Sequence, residues 1–449
     1  MSTANGLIVS VSGIRGAIGR SLTPADALAF ASALGAYVNG GPVVVGRDGR
    51  PSGAMLRHAI LAGLTAAGCE VHDLTVAPTP TVGLAVRTLQ AAGGVQITAS
   101  HNPAEWNGFK LFGPDGRVLS AVEGRKVQTL FETGAAALVP WNKIGGVQDY
   151  HKAEDDHRER VLQLVDVEAI RAAGLSAFLD ANGGAGGPLG FAVLASLGVE
   201  TVCHGCDADG AFLHEPEPTE ANLREVGPLV RVHGAHIGFA LDPDSDRLAL
   251  IDENGRYIGE ELTLALAARF RLSRERGPVV VNMSTSRVVE DVATRFGCAF
   301  HRSAVGEANV ADKMLEVGAV FGGEGNGGVI DPRVGLVRDP FIGMGLILNL
   351  MAETGKKLSE LVAELPTYHI VKDKYTVERE RLPELFEALT KRWPEARADR
   401  TDGLRLDWAD RWLHVRPSNT EPIVRVIAEA PWAAEAKELC RAAGALLTA

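Results

Sequence analysis

The chain predicts an α/β protein: three similar α/β domains followed by a smaller C-terminal α+β domain. Three observations carry that prediction. At 449 residues the chain exceeds the roughly 250–300 residues that one hydrophobic core supports. Through most of its length, short β-rich runs ending in small or polar residues alternate with segments of helical period, the pattern of α/β layers. In the last part the order changes to strand, helix, strand, strand, helix, which is α+β.

Taken in order, residues 42–46 (Pro-Val-Val-Val-Gly) predict a strand ahead of a helical stretch, and residues 94–97 a short strand ahead of a Pro-terminated turn. The charged segment 149–160 reads as a helical linker. Residues 175–181 and 278–282 repeat the strand-then-helix theme, and strands over 237–241 and 248–251 flank an acidic loop. In the last unit, 373–379 is strand-like, 382–393 helical, 403–415 and 423–428 strand-like, and a helix starts at Ala433. These elements divide the chain into units over 1–145, 155–255, 256–370 and 371–449. The spacing of the first three fits a weak internal repeat.

Composition narrows the function classes. With 46% hydrophobic and 22% charged residues, and no apolar run near membrane-span length, the chain reads as globular. Residues 1–12 carry no basic region before their short apolar stretch, so a cytoplasmic location is expected. A net charge of −11 argues against a broad nucleic-acid footprint, although a few converging arginines could still hold a small anion. Five cysteines, an odd number, make no disulfide framework, and Cys203-His204-Gly205-Cys206 has no second ligand pair at zinc spacing. Oligomeric state is not readable.

Four stretches carry chemistry. Thr98-Ala99-Ser100-His101-Asn102-Pro103 sets a hydroxyl, an imidazole and an amide side by side. Pro103 biases Asn102 away from helical geometry, so Ser100 is expected exposed at a strand end, either as a reactive hydroxyl or as part of a self-bonded turn. Asp242-Pro243-Asp244-Ser245-Asp246-Arg247 places carboxylates at alternate positions of a loop, a hard-oxygen set suited to Mg²⁺, and the acids need a cation to offset their repulsion. Glu253 completes the spacing of a calcium-binding EF-hand, but Arg247 stands where its turn glycine belongs and the flanks are strands, so calcium sensing is rejected. A strand ending in Asp-x-Asp also resembles the haloacid-dehalogenase-type phosphatases, in which Asp242 would be the nucleophile, though that reading leaves Ser100 without a role.

Gly323-Glu324-Gly325-Asn326-Gly327-Gly328 has GxGxxG spacing, but Val329-Ile330-Asp331-Pro332 follows in place of a helix, so dinucleotide binding fails on context. Glu324 and Asn326 are instead hydrogen-bonding groups on a permissive turn, suited to hydroxyls. Arg416-Pro417-Ser418-Asn419-Thr420-Glu421-Pro422, with Arg425 beyond, makes a donor-rich turn between strands that suits phosphate.

Together and in this order, with Ser12-Gly13-Ile14-Arg15-Gly16 near the start, these motifs resemble the α-D-phosphohexomutases, the phosphoglucomutase, phosphomannomutase and phosphoglucosamine mutase family, over nearly the whole chain. The resemblance implies three α/β domains and a smaller fourth arranged around a central cleft. It implies interconversion of hexose 1-phosphates and 6-phosphates through a hexose 1,6-bisphosphate. Ser100 would be the phosphoserine and join Asp242, Asp244 and Asp246 around Mg²⁺. Arg15, His101, Lys110 and Arg247 would lie at the reacting oxygens, with Lys110 and His101 the acid/base candidates. Glu324 and Asn326 would grip sugar hydroxyls, and Arg416, Ser418, Asn419, Thr420 and Arg425 the non-reacting phosphate. Three departures stand out: Asn326-Gly327-Gly328 where many members have Ser-Gly-His, no lysine in Asn282-Met283-Ser284-Thr285, and Val9-Ser10-Val11 in place of a usual Phe-Gly-Thr. The loop form looks most like the archaeal-type phosphoglucosamine mutase and phosphomannomutase branch. The alternatives are the Asp242-nucleophile phosphatase and a sugar-phosphate-binding protein without catalysis.

Overall fold

The computed structural model describes residues 6–10, 13–136, 138–417 and 423–448. They form four sheets, and the first three share one strand order. In the first, Trp106–Phe112 lies antiparallel to Gly93–Ile97, which is parallel to Val43–Arg47, itself parallel to Val71–Val76. The second repeats this with Leu248–Asp252, Ile237–Leu241, Ser176–Asp180 and Glu200–His204. The third does so with Gly328–Ile330, Phe321–Glu324, Val279–Asn282 and Phe300–Ser303. The first sheet adds Ile8–Ser10 and Gly13–Ala17 at one edge and Val147–Asp149 at the other. Because the central strands are covered by helices on both faces, their sequences are continuous apolar runs, such as the wholly buried Ile237–Leu241, with no alternation.

Each of the three functional loops occupies the same place in its unit. The Ser100 turn, the Asp242–Asp246 loop and the Glu324–Gly327 loop each join a parallel strand to its antiparallel neighbour. The fourth sheet is wholly antiparallel, in the order His369–Thr376, Ile423–Ala430, Trp412–Pro417, Leu404–Asp407, Arg397–Asp399.

Packing groups these units unequally. One continuous core runs from Val161 to Leu365 through the second and third units, carried by the helices Glu260–Arg274 and Pro340–Thr354. The fourth unit has its own smaller core, around Leu389, Leu404, Val415 and Cys440. Polar contacts join it to the third: Arg287 N donates to Glu429 Oε1 (3.0 Å), Val305 N to Asp402 Oδ2 (3.0 Å), and Ser284 Oγ meets His414 Nδ1 at 3.0 Å. On the other side, His157 ties three units together, with Thr81 Oγ1 at 2.9 Å from Nδ1 and Asp339 Oδ2 at 2.8 Å from Nε2. Asp339 also caps the helix Pro340–Thr354.

Three local expectations change. The segment expected as one strand over 403–415 is a hairpin, Leu404–Asp407 and Trp412–Pro417, turned where Trp408 N donates to Arg411 O. The strand expected over 373–379 is Ile370-containing His369–Thr376, and residues 379–381 form a single 3₁₀ turn. The segment expected as a helical linker over 149–160 is helical from Ala153 to Leu162, but it is packed into the fold, with His157 fully buried. Among the described residues no helix is long and apolar enough to cross a membrane.

Candidate active site

Ser100 is not exposed, as the strand-end reading expected, but 2% accessible, at the bottom of the junction between the first two units. Its backbone is left-handed, with φ of 52°, a conformation disfavoured for a residue with a side chain. A buried clamp holds it there. Arg50 donates to the carbonyls of Ser100 (2.6 Å), Asn102 (2.7 Å) and Pro103 (2.8 Å). Asp48 pairs with Arg50 Nε at 3.0 Å and accepts from Thr98 Oγ1 at 2.7 Å, while Thr98 Oγ1 accepts from Ser100 N at 2.8 Å. Arg15 adds a bond to Asn102 Oδ1 at 3.4 Å. Asp48 and Arg50 were not singled out from sequence, although Gly46-Arg47-Asp48-Gly49-Arg50 follows the first predicted strand directly.

Across the junction, the Asp loop folds around Asp242, whose Oδ1 accepts from the backbone N–H of Asp246 and Arg247, each at 3.0 Å. Ser100 Oγ donates to Asp242 Oδ2 at 3.3 Å. Ligand oxygens of Asp242, Asp244 and Asp246 all lie within 4.8 Å of one another. Thr79 anchors the loop to the first unit through Asp244 Oδ2 (2.6 Å) and Asp244 O (2.8 Å). Lys110 Nζ reaches Asp244 Oδ2 at 2.6 Å and Asp246 Oδ2 at 2.5 Å. Arg338, from the third unit, reaches Asp246 Oδ2 at 2.5 Å.

These charges set the protonation pattern. Burial, then the neighbouring Asp246 and Asp244, push the Asp242 carboxyl well above its usual range. Burial also pushes Asp246 up, but Arg338, Lys110 and Arg247 outweigh it and hold it well below. His101 is pushed down to about 3 by burial and by Arg247, against the pull of Glu217. Its Nδ1 accepts from Arg247 at 2.9 Å, so the neutral ring carries its proton on Nε2, facing Glu217 at 4.0 Å. Arg247 also binds Glu217 at 3.0 Å.

A divalent cation with oxygen preference fits this loop. Asp244 Oδ1 and Asp246 Oδ1 are buried with no hydrogen-bond partner among the described residues, a costly arrangement for carboxylates. Their Oδ2 atoms are already engaged by Lys110, Thr79 and Arg338, which leaves the Oδ1 atoms available as ligands. Three carboxylate oxygens and a serine oxygen match the hard donors that Mg²⁺ takes.

In the third unit, Glu324 Oε1 accepts from Asn282 Nδ2 (2.7 Å) and Gly306 N (3.0 Å), and Oε2 from Arg338 (2.9 Å). Asn326 is half-buried on the same turn, with Oδ1 unpartnered among the described residues. A cavity of about 620 Å³ opens beside this turn between the third and fourth units, lined by Gly325, Glu260, Glu261, Lys372 and Glu429 among others. In the fourth unit, Lys374, Arg425 and Arg416 stand directly opposite one another on three adjacent strands. Arg416 Nε lies 3.1 Å from Asp402 Oδ2, which offsets part of that charge. Ser12, Ser418, Asn419 and Thr420 lie outside the described residues.

Four successive segments match the phosphoglucomutase/phosphomannomutase family: alpha/beta/alpha domain I over residues 6–137, domain II over 155–255, domain III over 259–368 and the C-terminal domain over 371–443. A protein named as a probable phosphoglucosamine mutase from Methanopyrus kandleri is 39% identical over 97% of this chain and 96% of its own length. One named phosphoglucomutase/phosphomannomutase, from Thermococcus kodakarensis, is 38% identical over 96% of each. The crystal structure of a family protein from Burkholderia thailandensis superposes with a TM-score of 0.85 at 28% identity, covering 97% of both chains. Fold and relatives define an enzyme of the phosphohexomutase class. The chain belongs to the phosphoglucomutase/phosphomannomutase family of α-D-phosphohexomutases.

Proposed function

We propose that this enzyme interconverts hexose 1-phosphate and hexose 6-phosphate through a phosphoserine at Ser100, with Mg²⁺ held by Ser100, Asp242, Asp244 and Asp246. The observation that carries the reading is the approach of Ser100 Oγ to Asp242 Oδ2, 3.3 Å between residues of different units. A hydroxyl fixed by the Arg50 clamp beside a carboxylate of a loop that holds two unpartnered carboxylate oxygens supports phosphoryl transfer at this position.

In the first step the bond from Ser100 Oγ to phosphorus breaks as a sugar hydroxyl oxygen bonds to phosphorus. The hydroxyl proton leaves to a base, and the serine oxygen keeps the electron pair. Bound Mg²⁺ supplies neutralisation of charge on the transferring group. Lys110, held charged between Asp244 and Asp246, gives its proton to the departing Ser100 oxygen and, neutral once it has done so, is the base that takes up the hydroxyl proton. His101, whose Nδ1 is already occupied, orients Arg247. The bisphosphate then turns over, its other phosphate passes to Ser100, and the enzyme ends phosphorylated as it began. Arg416, Arg425 and the loop through Ser418, Asn419 and Thr420 grip whichever phosphate is not reacting, while Glu324 and Asn326 take the ring hydroxyls.

The substrates are the phosphates of glucosamine, mannose or glucose, since names for all three stand on close relatives. Five free cysteines suit the reducing cytoplasm. Intact-mass measurement should find a phosphate increment that Ser100→Ala loses together with nearly all turnover. Full mutase activity in that variant, or a phosphate mapped to Asp242, would overturn the mechanism.

A further inference from the structure

The geometry points to Arg338 as a positioning residue that ties the metal-site carboxylate to the sugar-loop carboxylate, holding the phosphoryl site and the hydroxyl grip at one spacing. The inference rests on the roles proposed above for Asp246 and Glu324.

Arg338 is 7% accessible and reaches three carboxylates from three other segments. Its two terminal nitrogens divide between Asp246 Oδ2 (2.5 Å) and Glu324 Oε2 (2.9 Å). The third carboxylate, Glu307, lies 3.3 Å from Nε and accepts from the Arg338 backbone N–H at 2.8 Å. A planar guanidinium makes such a fork rigid, which an ammonium cannot do. Asp339, the next residue, is fixed as a helix cap and by His157, so the root of the side chain is fixed as well.

Room for this bridge comes from the departure in the glycine loop. A Cβ on Gly328 would sit 2.2 Å from Arg338 Cδ and 2.8 Å from Cγ. Any side chain at 328 therefore displaces the arginine, and the guanidinium uses the space a residue there would take. The consequence for Glu324 is chemical. Its oxygens accept from Asn282, Gly306 and Arg338, which orients the carboxylate so that a remaining lone pair can take a sugar hydroxyl. Asp246 keeps Oδ1 free because Oδ2 is held.

Removing Arg338 should split two affinities in opposite directions. Glu324 loses the partner that orients it, so sugar phosphate binds at least about tenfold more weakly. The Asp loop loses one of the cations that oppose an incoming divalent ion, so metal binds as tightly or several-fold more tightly. General damage to the fold would weaken both.

The test uses the full chain carrying Ser100→Ala, with Mn²⁺ affinity read by electron paramagnetic resonance and glucose 1,6-bisphosphate affinity by calorimetry. Arg338→Met should show the split. Arg338→Lys, which keeps the charge and loses the fork, should leave Mn²⁺ unchanged and still weaken the bisphosphate. Arg338→Met combined with Glu324→Gln should bind the bisphosphate no worse than Glu324→Gln alone. Parallel loss of both ligands, an unaltered bisphosphate affinity in both Arg338 variants, or additive losses in the double variant would each overturn the bridge. Two controls isolate the underlying reading: if Asp246→Asn leaves Mn²⁺ binding intact, or Glu324→Gln leaves the bisphosphate intact, the proposed site roles fall first and the bridge with them.

Discussion

Acid should loosen the fourth unit through one histidine. His414 is completely buried, with Nε2–H donating to Asp402 O at 2.6 Å and Nδ1 meeting Ser284 Oγ at 3.0 Å. The neutral ring satisfies both bonds, and a second proton on Nδ1 has no acceptor but a hydroxyl. Burial pushes its pKa down from 6.5 to about 4, with Arg405 and Arg416 adding to the effect against Asp402. Between those values the unfolded chain binds a proton that the folded chain refuses, so stability rises with pH across the window. The contribution is complete above 6.5 and is lost as pH falls towards 4. At about 1.36 kcal/mol per unit, the loss is about 3 kcal/mol. Four of the six tryptophans, Trp393, Trp408, Trp412 and Trp432, lie in the fourth unit, so their fluorescence during urea unfolding reports on it. Wild type and His414→Gln should be compared at several pH values through the window. The difference between them isolates the histidine from the other titrating groups. Parallel pH profiles for the two proteins would refute the argument.

Burial pushes Glu261 up to about 8, although Lys372 and the Ser286 N–H oppose it. Here the folded pKa is raised, so stability is complete below 4.5 and falls as pH rises towards 8. Glu261→Gln, which keeps the acceptor for Ser286, should therefore gain over wild type by up to about 5 kcal/mol on the alkaline side, and a pH-independent difference in melting temperature would contradict this. Arg416→Ala should weaken every hexose phosphate alike, by ~1.5–3 kcal/mol or about tenfold and more, in both reaction directions. Asn326→Ala should instead reorder glucose, mannose and glucosamine phosphates, and steady-state kinetics on the three 1-phosphates would expose the reverse pattern.

Local patterning carried much of the fold and the core of the site. The apolar runs at 42–46, 237–241 and 278–282 lie on the buried strands Val43–Arg47, Ile237–Leu241 and Val279–Asn282. The rejection of dinucleotide binding rested on strand character after Gly328, and Gly328–Ile330 is a strand. Long-range partners were illegible for a physical reason. Arg338 meets Asp246 across 92 residues and Lys110 meets it across 136, and nothing within either segment encodes the other. Ser100 was misread as exposed because a turn is exposed until another unit closes over it. The break at Trp408–Arg411 was hidden by apolar residues on both sides of a tight turn.

The common strand order of the first three units has an evolutionary consequence. The serine turn, the acidic loop and the Glu324–Gly327 loop each occupy the same joint of a separate copy, and they are coupled only where side chains such as Lys110 and Arg338 cross between copies. The second and third share a core, so their spacing is inherited as a block. The fourth has its own core and meets its neighbour largely through polar contacts. A change at Glu324–Gly328 reaches Asp246 through Arg338, which bonds both carboxylates, whereas Ser100 sits in a unit with its own clamp. A lineage built this way changes that loop and the acidic loop together.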